Sequence, residues 1–169
     1  MSGQRTKRGL FAGAALMMCV ATPAQATMQC WNPTQVAAAK VRDLQSRLMV
    51  ATLRCSAMGV DVAGAYNRFL AANRSTIQGA NAVLLAQFQT GFGRQGLVHY
   101  DRFATSLANI YGDDPTSPAV CGETVVLAEE AAATNGDIDA LVAIEDRLGF
   151  ATPLPGGQCS VTFASAEGN

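Results

Sequence analysis

Apolar residues recur at three- and four-residue steps along most of this chain, which is the repeat of an amphipathic α-helix. The clearest case follows Asn32 and Pro33, residues that favour a helix N-cap and first turn, and it stops before Gly59, which suits a left-handed C-cap. One face of this segment carries an apolar stripe: Val41, Leu44, Leu48, Ala51 and Cys55. We therefore predict a long first helix over residues 32–58.

The same repeat predicts further helices, separated by turns that contain glycine, asparagine or proline. We expect Asp61, Ser75 and Ser117 to cap three of these helices, and Gly149 to end the last one. The repeat is lost after Phe150. The prediction is therefore an all-α bundle of five or six amphipathic helices with an irregular C-terminal tail.

Residues 1–26 have the pattern of a cleaved secretory signal peptide. Three basic residues precede an apolar run over residues 10–21, and Ala24 and Ala26 form a small-x-small cleavage site. An uncleaved anchor is the alternative, but this run is shorter than the roughly 20 residues that span a bilayer. We predict cleavage after Ala26, which leaves residues 27–169 as a single helical domain without a transmembrane span.

The predicted mature chain contains four cysteines, Cys30, Cys55, Cys121 and Cys159. An even number of cysteines in an exported chain indicates two disulfides. The spacing has no C-x-x-C pair, and His99 is the chain's one histidine, which argues against a zinc site and a thioredoxin-like motif. We therefore predict two structural disulfides, no metal and no cofactor.

Helix geometry narrows the disulfide pairing. If residues 32–58 form one helix, Cys55 lies roughly 33 Å along the axis from Pro33, whereas the Cα atoms of a disulfide lie within about 7 Å. Cys30 therefore does not pair with Cys55. Two pairings remain open: Cys30–Cys121 with Cys55–Cys159, or Cys30–Cys159 with Cys55–Cys121. Simple up-and-down alternation of the helices favours the first.

Charge is distributed unevenly. Residues 27–100 carry seven basic and two acidic side chains, whereas residues 101–169 carry two basic and eleven acidic ones. A basic first half could face an anionic partner. We favour packing of the two halves against each other, because the spaced cations form no basic tract. Nucleic-acid binding is not expected from this charge or from export.

Two residues are weak candidates for catalysis. His99 precedes Asp101 on a predicted helix, but no nucleophile accompanies it by spacing, so a surface or capping role is favoured. Glu123 could act as the acid of a helical cell-wall hydrolase, which cleaves a glycosidic bond with a protonated glutamate. The signature motifs of lysozyme-like transglycosylases are missing from the chain.

A run of acids near the C-terminus imitates a calcium loop. Asn135, Asp137, Asp139 and Asp146 fall at positions 1, 3, 5 and 12 of an EF-hand count. Position 6 is Ala140 instead of glycine, and position 12 is aspartate instead of glutamate. We therefore expect these acids to cap and solvate a helix.

Two classes of function fit this pattern. The first is an exported, periplasmic or secreted binding or interaction protein without catalytic activity, whose partner is unidentified and could be another envelope protein. The second is an envelope hydrolase that uses a helix-borne glutamate. Aromatic residues at helical spacing are expected to form the core, with a pocket for a small apolar ligand as the alternative.

Overall fold

The computed structural model describes residues 29–149 and 154–160, and these residues confirm the all-α bundle stapled by two disulfides. A 3₁₀ turn at Gly93–Gln95 joins the third helix to the fourth. The six α-helices of the described residues are α1 (Pro33–Ala57), α2 (Ala63–Ala72), α3 (Arg74–Phe92), α4 (Gly96–Gly112), α5 (Pro118–Ala133) and α6 (Ile138–Leu148). The predicted signal peptide, residues 1–26, lies outside the described residues.

Several predicted helix ends are confirmed. The Asn32 side chain accepts a hydrogen bond from the main-chain N–H of Gln35 at 3.0 Å, and the Gln35 side chain accepts one from Asn32 at 2.9 Å. This reciprocal pair satisfies two N–H groups at the start of α1. The Ser117 side chain caps α5 with a single hydrogen bond from the main-chain N–H of Val120, and Gly149 ends α6 with a left-handed φ of 78°.

The predicted cap at Ser75 is wrong, because α3 begins at Arg74, directly after the one residue that separates it from α2. That residue, Asn73, is fully buried, and its Nδ2 donates to the main-chain oxygens of Phe69 and Ala131 at 3.1 and 2.8 Å. Asn73 therefore fastens the junction of the two helices to the end of α5. No loop is present there in which the chain could reverse.

Helices α2 and α3 together carry the chain from the end of α1 back to its beginning. Val62, just before α2, packs with Cys55 near the end of α1. Close to the end of α3, Gln87 accepts a hydrogen bond from Gln35 at 2.7 Å and donates one to the main-chain oxygen of Gln29 at 3.1 Å. The two helices therefore count as one passage along the bundle.

The course of α2 and α3 as one passage along the bundle shows which cysteines come together. Helix α4 returns to the end of α1, where Arg54 donates to the main-chain oxygens of Tyr111 and Gly112. Helix α5 starts there as well, which places Cys121 beside Cys55. The pairing Cys30–Cys121 with Cys55–Cys159 is therefore wrong, because simple alternation counted α2 and α3 as two passages. The bonds are Cys30–Cys159 and Cys55–Cys121, with Cα separations of 4.8 and 5.6 Å.

All six helices contribute buried residues to one hydrophobic core, and residues 154–159 close the end of it at which α1 begins. Trp31 is buried against Phe88 and Phe103, with ring centroids 5.8 and 5.9 Å away. Its indole donates to the main-chain oxygen of Pro155, and an isolated parallel bridge joins it to Gln158. The aromatic residues here are core, as expected. Within residues 29–149 and 154–160, no helix combines the length and apolar character required to cross a membrane.

Candidate functional site

A cavity of about 620 Å³ opens between the second half of α1, the loop after α4, most of α5 and the end of α6. Small-molecule sites have volumes of roughly 300–1,000 Å³. Cys55 lines the cavity, and its disulfide bond to Cys121 holds α1 against α5. Apolar side chains line much of the wall: Leu48, Ala51, Val120, Val126, Leu127 and Leu148.

Arg54 occupies the end of the cavity next to α4. Its guanidinium donates to the main-chain oxygens of Tyr111 and Gly112 at 2.8 and 2.6 Å, and also to that of Asp114. These oxygens lie at the C-terminal end of α4, where the helix dipole favours a cation. Arg54 therefore fixes the loop that forms one side of the cavity.

A second arginine lies on the rim. Arg147 of α6 donates to both carboxylate oxygens of Glu130 on α5, at 2.9 and 2.6 Å. This pairing lowers the pKa of Glu130 below its ordinary value. Both side chains are exposed, so the pair contributes little to stability and mainly joins α5 to α6 across the opening.

Asp43 of α1 lies behind the cavity wall and is fully buried. The hydroxyl of Tyr111 donates to its Oδ2 at 2.7 Å. Burial, and then this hydrogen bond, raise the pKa of Tyr111, so the phenol keeps its proton. The other carboxylate oxygen, Oδ1, has no hydrogen-bond partner among the described residues.

Glu145 of α6 is the second buried carboxyl group of this cluster. Its Oε1 accepts a hydrogen bond from Arg47 at 3.2 Å, and its Oε2 has no partner among the described residues. Burial, together with hydrogen bonding to Asp43, raises the pKa of Glu145 to about 7, although Arg47 opposes the shift. This carboxyl group therefore changes charge near neutral pH.

Arg47 connects the two buried carboxyl groups to the cavity. Its guanidinium carbon lies 4.5 Å from the centroid of the Tyr111 ring, and both side chains line the cavity. Its Nε has no hydrogen-bond partner among the described residues. The wall thus presents a cation and an aromatic ring to a ligand, with Asp43 and Glu145 directly behind them.

The two catalytic candidates are not brought together. Glu123 is exposed and lines the cavity. His99 lies in the first turn of α4 and stacks on Phe92, with ring centroids 3.6 Å apart and planes within 5°. Twelve residues of α4, about 18 Å, separate His99 from Tyr111 at the cavity. His99 is therefore placed for packing at the α3–α4 connection.

The calcium-like run has the capping role that its helical repeat predicts. Asp137 accepts hydrogen bonds from the main-chain N–H groups of Asp139 and Ala140 and caps α6. Asp146 is paired with Lys40 of α1. Within the part of the chain that the structure describes, no group of three or more His, Cys, Asp or Glu residues could hold a metal ion.

Sequence reasoning missed the buried carboxyl groups. Asp43 lies four residues before Arg47, which is typical of an exposed ion pair on a helix. A signal was present for Glu145, because Leu141, Glu145 and Leu148 follow the four- and three-residue steps of a core face. An acid on the apolar stripe of a helix is buried when that stripe faces the core.

No known protein family, characterised protein or solved structure shows significant similarity to this chain. The function is therefore inferred from the chemistry of the cavity.

Proposed function

We propose that this protein is an exported binding protein without catalytic activity, and that the cavity between α1, α5 and α6 takes a small molecule with an apolar body and one anionic group. The observation that carries the proposal is the combination of apolar walls with Arg47, a cation whose guanidinium is not saturated by the protein. A fatty-acid-like carboxylate or sulfonate has this chemistry.

The walls match the apolar part of such a ligand. Leu48, Leu127 and Leu148 come from three different helices and face the same space. Two exposed valines of α5, Val126 at 68 % and Val120 at 37 %, belong to this lining. An alkyl chain lying along α5 would remove this apolar surface from water.

The arginines match the anionic end. Glu130 neutralises Arg147, whereas Arg54 is bonded to uncharged main-chain oxygens and keeps its full charge. Arg47 is opposed by Glu145, whose raised pKa weakens that opposition below about pH 7. Arg47 and Arg54 both line the cavity, so an anion beside Arg47 would have a second cation in the same partly desolvated site.

Export is supported by two features of different kinds. Residues 1–26 have the pattern of a cleaved signal peptide, and the four cysteines of the predicted mature chain form two disulfides, which persist in oxidising compartments. We propose a periplasmic or secreted location. Mass spectrometry of the protein purified from cells should find Thr27 at the N-terminus, and retention of residues 1–26 would contradict this.

Calorimetric titration of the oxidised protein with decanesulfonate, below its micelle concentration, tests binding directly. We expect saturable binding at one site, and much weaker binding of decanol, which lacks the charge. Gly122 lines the cavity and Gly79 lies on α3, and a Cβ at either position meets no atom within 4 Å. The Gly122→Leu variant should bind at least tenfold more weakly, whereas Gly79→Leu should bind normally.

Equal affinity of these two variants would place the ligand elsewhere, and no binding to the unmodified protein would overturn the proposal. The second candidate function is an envelope hydrolase, favoured by the position of Glu123 in the cavity. Clearing of peptidoglycan in a zymogram, lost in the Glu123→Gln variant and kept in Glu129→Gln, would establish that function instead.

A further inference from the structure

We infer that Asp43 and Glu145 hold one proton between them, and that loss of this proton weakens the binding of an anionic ligand to Arg47. The inference rests on the proposed function for its second half, because it adds a regulation to the same cavity. The first half concerns the protein without ligand and stands on the geometry of the buried cluster.

The two buried carboxyl groups are left with one oxygen each that lacks a hydrogen-bond donor among the described residues. Both side chains are fully buried, and each has one oxygen with a donor: Tyr111 donates to Asp43 Oδ2, and Arg47 donates to Glu145 Oε1. The remaining oxygens, Asp43 Oδ1 and Glu145 Oε2, have no donor among the described residues. A proton bound to one carboxyl and donated to the other satisfies both oxygens and removes one buried negative charge.

Among the described residues, Arg47 is the cation that is hydrogen-bonded to one of these two carboxyl groups. Helix α1 also supplies Arg42, next to Asp43, whose Nη1 donates to Gln45 and whose buried Nε has no hydrogen-bond partner among the described residues. Helix α4 supplies Tyr111, which is an uncharged donor. On α5 the cavity lining includes two acids: Glu130, which is paired with Arg147 of α6, and the exposed Glu123.

Two further ion pairs lie on the neighbouring helices. Asp146, the residue after Glu145, pairs with Lys40 at the α1–α6 contact, and Arg68 of α2 pairs with Glu129 of α5. Helix α3 contributes the exposed Arg74 at its start. With Arg47 as the cation in contact with Glu145, one carboxylate is compensated and the second is more stable as the acid.

The proton determines what Arg47 can bind. While Glu145 is neutral, the guanidinium of Arg47 has a weak partner on the protein side and can pair with an anion in the cavity. When the proton leaves to solvent, Glu145 becomes a carboxylate at 3.2 Å from Arg47 and competes with that anion. The ligand is then held below neutral pH and released above it.

The first arm of the test uses the protein without ligand. At pH 6 exposed carboxyl groups are ionised, because their pKa values lie near 4. Infrared spectroscopy should therefore detect the carbonyl stretch of one buried carboxylic acid, which is absent from Glu145→Gln and retained in the exposed control Glu129→Gln. Absence of this band from the unmodified protein would overturn the inference.

The second arm measures decanesulfonate affinity between pH 6 and 8.5, since the sulfonate stays ionised throughout. Affinity should fall by up to tenfold for each pH unit above 7. It should not change with pH in Glu145→Gln, which keeps the uncharged shape. An affinity of the unmodified protein that does not change with pH would overturn the proposed pH control of binding. A pH dependence that is also present in Glu145→Gln would overturn it as well. An infrared band without sulfonate binding at any pH would defeat the proposed function and leave the shared proton established.

Discussion

The hydroxyl of Tyr111 donates a 2.7 Å hydrogen bond to Oδ2 of Asp43, across 68 residues of sequence and inside the bundle. This bond joins the end of α4 to the middle of α1 and gives the buried carboxyl group of Asp43 its hydrogen-bond donor on Oδ2, while Oδ1 has none among the described residues. The ring of the same tyrosine lies under the guanidinium of Arg47. One side chain thus supports both the buried acids and the cation that faces the cavity.

Removing that hydroxyl should destabilise the fold. In Tyr111→Phe the ring is kept, but Asp43 Oδ2 loses its donor, and an unsatisfied buried acceptor costs about 1–3 kcal/mol. Urea unfolding should show this loss. Tyr100→Phe is the matched control, because Tyr100 bonds to Asn81 at a half-buried position and should lose less than half as much. Equal losses in both variants would contradict the special role of Tyr111.

Stability should depend on pH through Glu145. Its pKa is raised from 4.5 to about 7 in the folded protein, so the folded state holds the proton more tightly than the unfolded state does. The free energy of unfolding should therefore fall as pH rises from about 4.5 to about 7 and then level off, by about 3 kcal/mol in total from this group.

The Glu145→Gln variant isolates that contribution, since the other titrating groups are common to both proteins. The difference in unfolding free energy between variant and unmodified protein should grow in favour of the variant up to about pH 7. Urea unfolding at a series of pH values measures it. A difference that is independent of pH would mean that Glu145 is ionised in the folded state as readily as in the unfolded chain.

Gly96 should tolerate no side chain. It begins α4 against α3, and a Cβ there would lie 2.6 Å from Cα of Gln89 and 2.7 Å from its main-chain nitrogen. Gly96→Ala should therefore cost about 1–3 kcal/mol, as overpacking does. Gly79→Ala, in open space on α3, should stabilise by about 0.5–1 kcal/mol instead. Thermal unfolding of both variants checks the contrast, and a stabilised Gly96→Ala would contradict the close approach.

The two disulfides should open in a defined order. Cys30 is exposed, whereas Cys55 and Cys121 are buried beside Val62. Because a thiolate must reach the sulfur it attacks, a mild reductant should open Cys30–Cys159 first. Alkylation after timed reduction, followed by peptide mapping, gives the order. Prior opening of Cys55–Cys121 would show that the α1–α5 contact is looser than described.

The helical repeat and the capping residues predicted the positions of the helices well. They predicted less well in which direction each helix runs along the bundle. The caps at Asn32 and Ser117 each depend on a residue three positions further along the chain, so the local sequence specifies them. The course of α2 and α3 depends on Asn73, whose side chain bonds across the bundle to Ala131 and accepts hydrogen bonds from Thr134 and Gly136. Such long-range partners leave no trace in a helical repeat.

The cavity could not be predicted from the sequence for the same reason. Its lining comes from four stretches of chain, and their meeting follows from the directions of the helices and from the Cys55–Cys121 bond. Once α2 and α3 are treated as one passage, the start of α5 falls beside the end of α1, and Glu123 falls at the cavity. The buried pair of Asp43 and Glu145 required knowledge of which faces of α1 and α6 meet.

The most direct test of ligand binding in the cavity is an NMR titration of the oxidised, isotope-labelled protein with decanesulfonate at pH 6. We expect amide shifts to change at Arg47, Leu127 and Leu148 around the cavity, while those of Trp31 and Phe88 at the other end of the bundle stay unchanged. Shifts that cluster around Trp31, or that do not change anywhere in the protein, would contradict it.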